Sequence, residues 1–419
     1  MFQSFKVPGG VSKVGLLNSE TLNRLNFWNF FPHLCSPEVL ENGLMKIAVL
    51  GAGMVGRTMA IDLASSFDVT SFDVSEESIQ LLKERDPSIQ IKQADLKDYK
   101  NYPKWLEGFD IVVTAVPGFM GFDTLKTVIN CGKDVADISF FPEDVLQLDK
   151  LAREKKVTVI TDVGVAPGMS NLILGHYNEE MTVTNFECYV GGLPKIRKKP
   201  FEYKAPFSPI DVIEEYTRPA RLKENGFIVT KPALSEREYM DFEEVGTLEA
   251  FNTDGLRSLL FTMSHIANMK EKTLRYPIHV EFVIALKQAG FFDEKEIEID
   301  GVKISPLKFC SKILFNDWRL GTEEEELTVM KVIIEGEKDK HQKRIEFNLL
   351  DYFDIKTKTS SMSRTTGYTC TAAVHLMAKK LFTEKGVFPP ELVGKNKNCF
   401  DFVINYLKER GVNWKIQTN

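Results

Sequence analysis

The chain has 419 residues, 43% of them hydrophobic, and a formal net charge of −6, which allows two or three domains with a sizeable core and argues against a nucleic-acid footprint. No run of about 18 apolar residues occurs, so no membrane span is expected. The six cysteines are scattered with no C-x-x-C pair, which argues against a structural metal and fits a reducing cytoplasm.

Residues 1–44 hold an aromatic cluster, Phe27-Trp28-Asn29-Phe30-Phe31. They lack the apolar core of a signal peptide and the Arg-rich, acid-free character of a transit peptide. Met45 stands directly before the first strand. The leader is expected to be either a disordered arm whose aromatics bind a partner, or non-native, with Met45 as the physiological start.

Residues 47–50 form an apolar run into Gly51-Ala52-Gly53-Met54-Val55-Gly56. That is the G-x-G-x-x-G of a dinucleotide-binding β-turn-α unit. Gly51 permits the tight turn, Gly53 lets the backbone approach a pyrophosphate, and Gly56 lets the helix lie close to the strand. The helix N-terminus over 57–64 then offers N–H groups and a positive dipole end to the phosphates. A strand over 69–72 ends in Asp73, 22 residues after Gly51. An acid there suits the ribose hydroxyls and repels a 2′-phosphate, so NAD is the expected cofactor. The plainer reading is a cap for the helix starting near Ser75.

Strand and helix signals alternate onward, as a doubly wound parallel sheet requires. Strands are expected at 89–92, 109–116, 134–138 and 157–161, and helices at 123–131 and 142–155. Ligands in such sheets sit at the carboxyl ends of strands. Asp95, Val116 and Pro117 therefore join the cofactor-binding set, and Asp137 and Asp162 become wall candidates. The basic run at Lys195, Arg197, Lys198 and Lys199 reads as a solvated loop.

From about Thr182 the pattern shifts to alternation with hairpins. Residues 296–304 form two short strands around Asp300-Gly301, a type I′ signature, and 327–335 pairs with 344–349. A helix returns over 367–382. The fold expected is α/β: a Rossmann-type doubly wound parallel sheet with a second α+β domain containing a largely antiparallel sheet. The expected division is 1–44 leader, 45–175 dinucleotide-binding domain, 176–362 substrate and oligomerisation domain, and 363–419 a C-terminal helical segment returning to the first domain.

Several stretches of the second half resemble the saccharopine dehydrogenase family. They are Asp162-Val163-Gly164-Val165-Ala166-Pro167-Gly168, Gly191-Gly192-Leu193-Pro194, Gly246-Thr247-Leu248-Glu249-Ala250-Phe251, Thr273-Leu274-Arg275-Tyr276-Pro277 and Arg364-Thr365-Thr366-Gly367-Tyr368. Within the family the likeness is greater to lysine 6-dehydrogenases. Saccharopine reductases share the Tyr203-Lys204 pair, but where they carry an Arg suited to a substrate carboxylate this chain has Ile210. The resemblance implies an NAD-dependent amine dehydrogenase acting oxidatively on the CH–NH2 group of a lysine-like amino acid. A saccharopine-type enzyme acting on a CH–NH bond, or a non-catalytic cofactor-binding protein, is the alternative. A cytoplasmic homodimer with a small-molecule substrate is expected.

Oxidising a C–N bond needs a held carbon, a neutral amine and a proton acceptor. Arg275 or Arg257 suits an α-carboxylate. Tyr203, Asp137 and His279 suit proton transfer, and His279 lies four residues after Arg275, so on a helix the two would share a face. Each also has a structural reading: His279 as a hydrogen-bonded framework residue, Tyr203 as an amphipathic core residue, Asp137 as a cap. Arg364 serves either as a substrate contact or an interdomain ion pair, and Asp162 as a site wall or a brace for Pro167-Gly168.

Overall fold

Uninterrupted apolar runs become doubly covered parallel strands. The computed structural model describes residues 44–206 and 209–419; the expectations for the leader fall on residues 1–43, outside that range. The first part alternates β1 (Lys46–Leu50), α1 (Met54–Ala64), β2 (Asp68–Asp73), α2 (Glu76–Arg85), β3 (Gln90–Gln93), α3 (Tyr102–Trp105), β4 (Ile111–Thr114), α4 (Gly118–Asn130), β5 (Asp134–Asp137), α5 (Asp149–Lys155) and β6 (Thr158–Ile160). Ile47 to Leu50 are fully buried. Ser75 caps α2 by accepting from the Ser78 N–H at 3.2 Å, and Glu76 and Glu77 complement the dipole.

The chain then passes through α6 (Met169–Glu180) into β7 (Thr182–Pro194), α7 (Pro209–Thr217), β8 (Ala220–Glu224), β9 (Phe227–Lys231), β10 (Glu238–Phe242), β11 (Gly246–Asn252), α8 (Leu259–Thr262) and β12 (Asn268–Arg275). It continues through α9 (His279–Gln288), β13 (Ile297–Ile299), β14 (Val302–Ile304), α10 (Pro306–Trp318), β15 (Glu326–Lys338) and β16 (His341–Tyr352). The last elements are α11 (Ser361–Ala378), β17 (Gly386–Phe388), α12 (Pro390–Gly394), α13 (Lys397–Glu409) and β18 (Trp414–Thr418).

Two large sheets result among the described residues. The first has strand order β17-β6-β5-β4-β1-β2-β3 and is parallel throughout. The second runs β10-β11-β12-β7-β15-β16-β18, with β8 on β12 and β9 on β8. Its pairs are antiparallel except β12 with β7. This is the α/β architecture expected. The chain after Ser360 supplies strands as well as helices: β17 extends the first sheet and β18 the second. At the β13–β14 turn Asp300 and Gly301 both have positive φ, 51° and 80°, as a type I′ turn requires.

Three helix limits differ from the sequence reading. α4 starts at Gly118 rather than 123, because the chain turns into helix directly after Pro117. The expected 142–155 helix opens as a 3-10 turn over Val145–Leu148. α11 starts at Ser361 rather than 367, because Ser360 caps it by accepting from the Ser363 N–H at 3.3 Å. α11 lies against α1, where Asp62 accepts from Thr371 Oγ1 at 2.5 Å, Tyr406 Oη at 2.7 Å and Arg410 Nε at 2.7 Å. One carboxylate thus ties α1, α11 and α13 together.

Candidate functional site

The glycine-rich turn is built as its spacing requires. Gly51 has φ +110°, and a Cβ on it would run into the Ala115 carbonyl. A Cβ on Gly56 would run into the Gly51 carbonyl. At Gly53 no atom lies within 4 Å of where a Cβ would stand. The open face over Gly53 leaves room for a pyrophosphate at the N-terminus of α1. These residues therefore fit a dinucleotide.

Asp73 ends β2 and accepts from the Ala52 N–H at 2.6 Å and the Ser75 N–H at 2.8 Å. Its carboxylate braces the turn and keeps spare lone pairs for a ribose. Arg57 is 5% exposed, and its guanidinium donates to the Ala52 carbonyl at 3.5 Å, with no acid paired to it among the described residues. Burial brings its pKa down to about 10, Arg85 adds to this, and Glu77 and Asp73 oppose it.

Gly51, Gly53, Met54, Val55, Gly56, Asp73, Asp95, Val116 and Pro117 all line one cleft of about 1360 Å³. Ala52 is buried and is not part of the lining. The far wall belongs to the second domain: Gly191 and Gly192 from β7, Tyr203, Glu215 from α7, Thr253 to Gly255, and Glu271, Thr273 and Arg275 from β12. Asp162 and the 164–167 loop close the end where β6 stops.

Among the proton-transfer candidates, only Tyr203 lines the cleft. Burial pushes its hydroxyl well above its ordinary pKa, so it keeps its proton at neutral pH. Asp137 lies behind the strand ends, fully buried. It accepts from Thr114 Oγ1 at 2.5 Å, Thr161 Oγ1 at 3.2 Å and the Ser139 N–H at 3.2 Å. Burial raises its pKa to about 6, but it ties β4, β5 and β6 rather than facing the cleft. His279 is also outside the lining. Its Nδ1 donates to the Phe201 carbonyl at 2.9 Å, and its Nε2 accepts from Tyr216 Oη at 3.0 Å. Burial, then Arg275, lowers its pKa to about 3, which fixes it neutral. Arg275 and His279 share no helix, because Arg275 ends β12 and His279 begins α9. They meet through Tyr216 instead.

Of the arginines, Arg275 lines the cleft, but most of its donors are engaged. Nη2 contacts Glu215 at 2.9 Å and Tyr203 Oη at 3.4 Å, Nε donates to Tyr216 Oη at 3.0 Å, and Nη1 to the Leu274 carbonyl at 3.0 Å. It positions the wall more than it awaits a carboxylate. Arg257 pairs with Asp162 at 2.9 Å and donates to the Phe141 carbonyl, outside the lining. Arg364 is held by Asp351 at 3.2 Å and Asp354 at 2.9 Å, away from the cleft.

The sequence reading missed Glu271. It sits 6% exposed on the inward face of β12 with Thr273 and Arg275, each two residues from the next. Burial, reinforced by Glu215 and Asp254, raises its pKa to about 8. The signal available was this period-2 row, whose outward partner Lys272 pairs with Glu238 at 2.7 Å. Among the described residues no cluster of His, Cys, Asp and Glu is placed to hold a metal, and no helix is long and apolar enough to cross a membrane.

Residues 164–412 match the model of the saccharopine dehydrogenase C-terminal domain, and residues 47–160 that of the saccharopine dehydrogenase NADP binding domain. The chain is 23% identical over 267 residues to saccharopine dehydrogenase (NADP+, L-glutamate-forming) of Pyricularia oryzae, covering 60% of this chain and 59% of that one. It is 23% identical over 248 residues to the mitochondrial alpha-aminoadipic semialdehyde synthase of Rattus norvegicus, covering 55% of this chain and 27% of that protein. The chain thus spans less than two thirds of the length of either relative. A carboxyaminopropylagmatine dehydrogenase of Synechocystis is 20% identical over 83% of this chain and 92% of its own. Apo saccharopine dehydrogenase (L-Glu forming) of Saccharomyces cerevisiae has the same fold, with a TM-score of 0.73 and 20% identity over 90% of this chain and all of that one. With the family models covering most of the described chain, the protein belongs to the saccharopine dehydrogenase family.

Proposed function

We propose that the protein is an NAD-dependent oxidoreductase acting on the CH–NH2 group of a lysine-like amino acid. The observation that carries this is the shared cleft: the open face over Gly53 and the inward row of β12 line the same cavity. A nicotinamide cofactor held there supplies a hydride acceptor. The chain's own residues do the rest. The first N–H groups of α1 face the diphosphate, and Asp73 takes the adenosine ribose. Val116, Pro117 and the 162–167 segment wall the nicotinamide end and keep water from it. Tyr203, kept protonated by its burial, is a hydrogen-bond donor in the far wall of the cleft, and Arg275 fixes its ring at 4.5 Å.

The relatives whose names specify saccharopine favour a second reading, oxidation of a CH–NH bond in an amine that carries a further carboxylate. Turnover separates the two. NAD reduction with lysine and none with saccharopine supports the first reading, and the reverse result supports the second. Fluorescence titration with NADH and NADPH decides the cofactor, and equal or tighter NADPH binding would overturn the assignment of NAD.

A further inference from the structure

Acids on the far wall of the cleft are matched with bases. Asp254 takes a fork from Arg221, with both contacts at 2.9 Å, and Glu215 takes Arg275 at 2.9 Å. Lys270 and Lys272, on either side of Glu271, turn to the other face of β12 and meet Glu187 at 3.1 Å and Glu238 at 2.7 Å. Glu271 has no basic partner among the described residues. It accepts from Thr253 Oγ1 at 2.8 Å and from the Gly255 N–H, and Thr253 Oγ1 is 2.9 Å from Thr273 Oγ1. Gly255 has to be glycine for this, because a Cβ there would occupy the position of the Glu271 carboxyl. The fold thus makes room for a buried acid, orients it with a hydroxyl and a backbone N–H, surrounds it with further acids, and leaves it facing the cavity.

A buried carboxylate without a counter-charge is costly, and a cation supplied from outside removes that cost. With no metal-binding cluster among the described residues, the cation that suits this place is organic. A primary ammonium brings three donors, and Glu271 with the Thr253 and Thr273 hydroxyls offers acceptors. We propose that Glu271, flanked by Thr253 and Thr273, receives the protonated amine of the substrate, takes up its proton before the C–N bond is oxidised, and makes the cleft select chains that end in an ammonium. Glu271, the acid there without a basic partner among the described residues, opposes a carboxylate on the carbon next to that amine, which disfavours saccharopine-like substrates. This inference rests on the reading of the cleft as the site of C–N oxidation.

The test is calorimetric, on the full chain, with and without NADH. The ligands are lysine, ε-hydroxynorleucine, norleucine and α-aminoadipate, which differ only at the far end. Lysine should bind about ten-fold or more tighter than the other three. Glu271→Gln should bring the four close together while NADH affinity and the near-UV circular dichroism stay unchanged. If that variant does not fold, Thr253→Val should reduce the lysine preference several-fold. A wild type that binds all four alike, or none at millimolar concentration, overturns the inference. So does a folded Glu271→Gln that keeps the preference. Should NADH fail to bind, the nicotinamide reading falls instead, and the series without NADH still decides for or against Glu271.

Discussion

Asp162 and Arg257 form a buried ion pair, 2.9 Å between carboxylate and Nε, that ties the end of β6 to the segment between β11 and α8. Both residues hold left-handed backbone, with φ 54° and 47°, a conformation uncommon for residues other than glycine. The Arg257 guanidinium also lies 4.8 Å over the Phe140 ring. Arg257 thus fastens the second domain to the rim of the cofactor sheet. Arg257→Ala strands the Asp162 carboxylate in a dry site and should cost about 3–5 kcal/mol in urea unfolding. Removing both charges in Arg257→Ala with Asp162→Ala should restore part of the loss. A single variant as stable as wild type would show that the pair holds nothing.

Gly53 and Gly56 give a contrast inside one motif. Gly53 has extended φ of −61° and ψ of −172° and open space beside it, so Gly53→Val should fold and lose NADH affinity by at least about ten-fold. Gly56→Val has no such room and should lose stability first. Fluorescence titration and thermal unfolding of the two variants separate the effects. Unchanged NADH affinity in Gly53→Val would remove the diphosphate from this turn.

The geometry of the glycine-rich turn was legible in the sequence because its parts are local: six residues of turn, then Asp73 at the end of the next strand. The parallel strands were legible for the same reason, since residues 47–50 and 111–114 are buried on both faces and read as unbroken apolar runs. The substrate wall was not. Glu271 meets Thr253 and Gly255 only because β11 and β12 pair in one register, and Lys-Glu-Lys-Thr-Leu-Arg reads as well for a solvated strand. The helical spacing of Arg275 and His279 misled, because a strand ends and a helix begins between them. β17 was missed because three residues beyond the second domain carry no periodicity of their own.

Asp73 has two separable roles, one toward its own backbone and one toward a ribose. Asp73→Asn keeps an acceptor for only one of the Ala52 and Ser75 N–H groups, because each uses a different carboxylate oxygen, and it loses the charge. It should cost about 1–3 kcal/mol of stability and narrow the ratio of NADH to NADPH affinity several-fold, with Arg57 no longer opposed by the acid. The ratio comes from parallel fluorescence titrations. If it does not move, Asp73 is only a brace for the turn.

Glu326 gives a pH dependence whose sign is fixed by its surroundings. Its side chain is buried, accepting from the Met362 N–H at 3.2 Å. Burial raises its pKa to about 8, and Asp351 adds to the rise. The folded state therefore holds a proton that the unfolded chain has released above its ordinary value near 4.5. Native protein binds more protons than unfolded protein across that window, so this group's stability contribution is full below it and is lost as pH rises toward 8. The loss from this one carboxyl is at most about 1.4 kcal/mol per pH unit. Asp137 and Glu271 add slopes of the same sign, so the test is a difference. Glu326→Gln should gain on wild type steadily between pH 5 and pH 8 in urea unfolding at fixed ionic strength. A constant difference across that range would mean that Glu326 is ionised in the fold and that a cation or water reaches it.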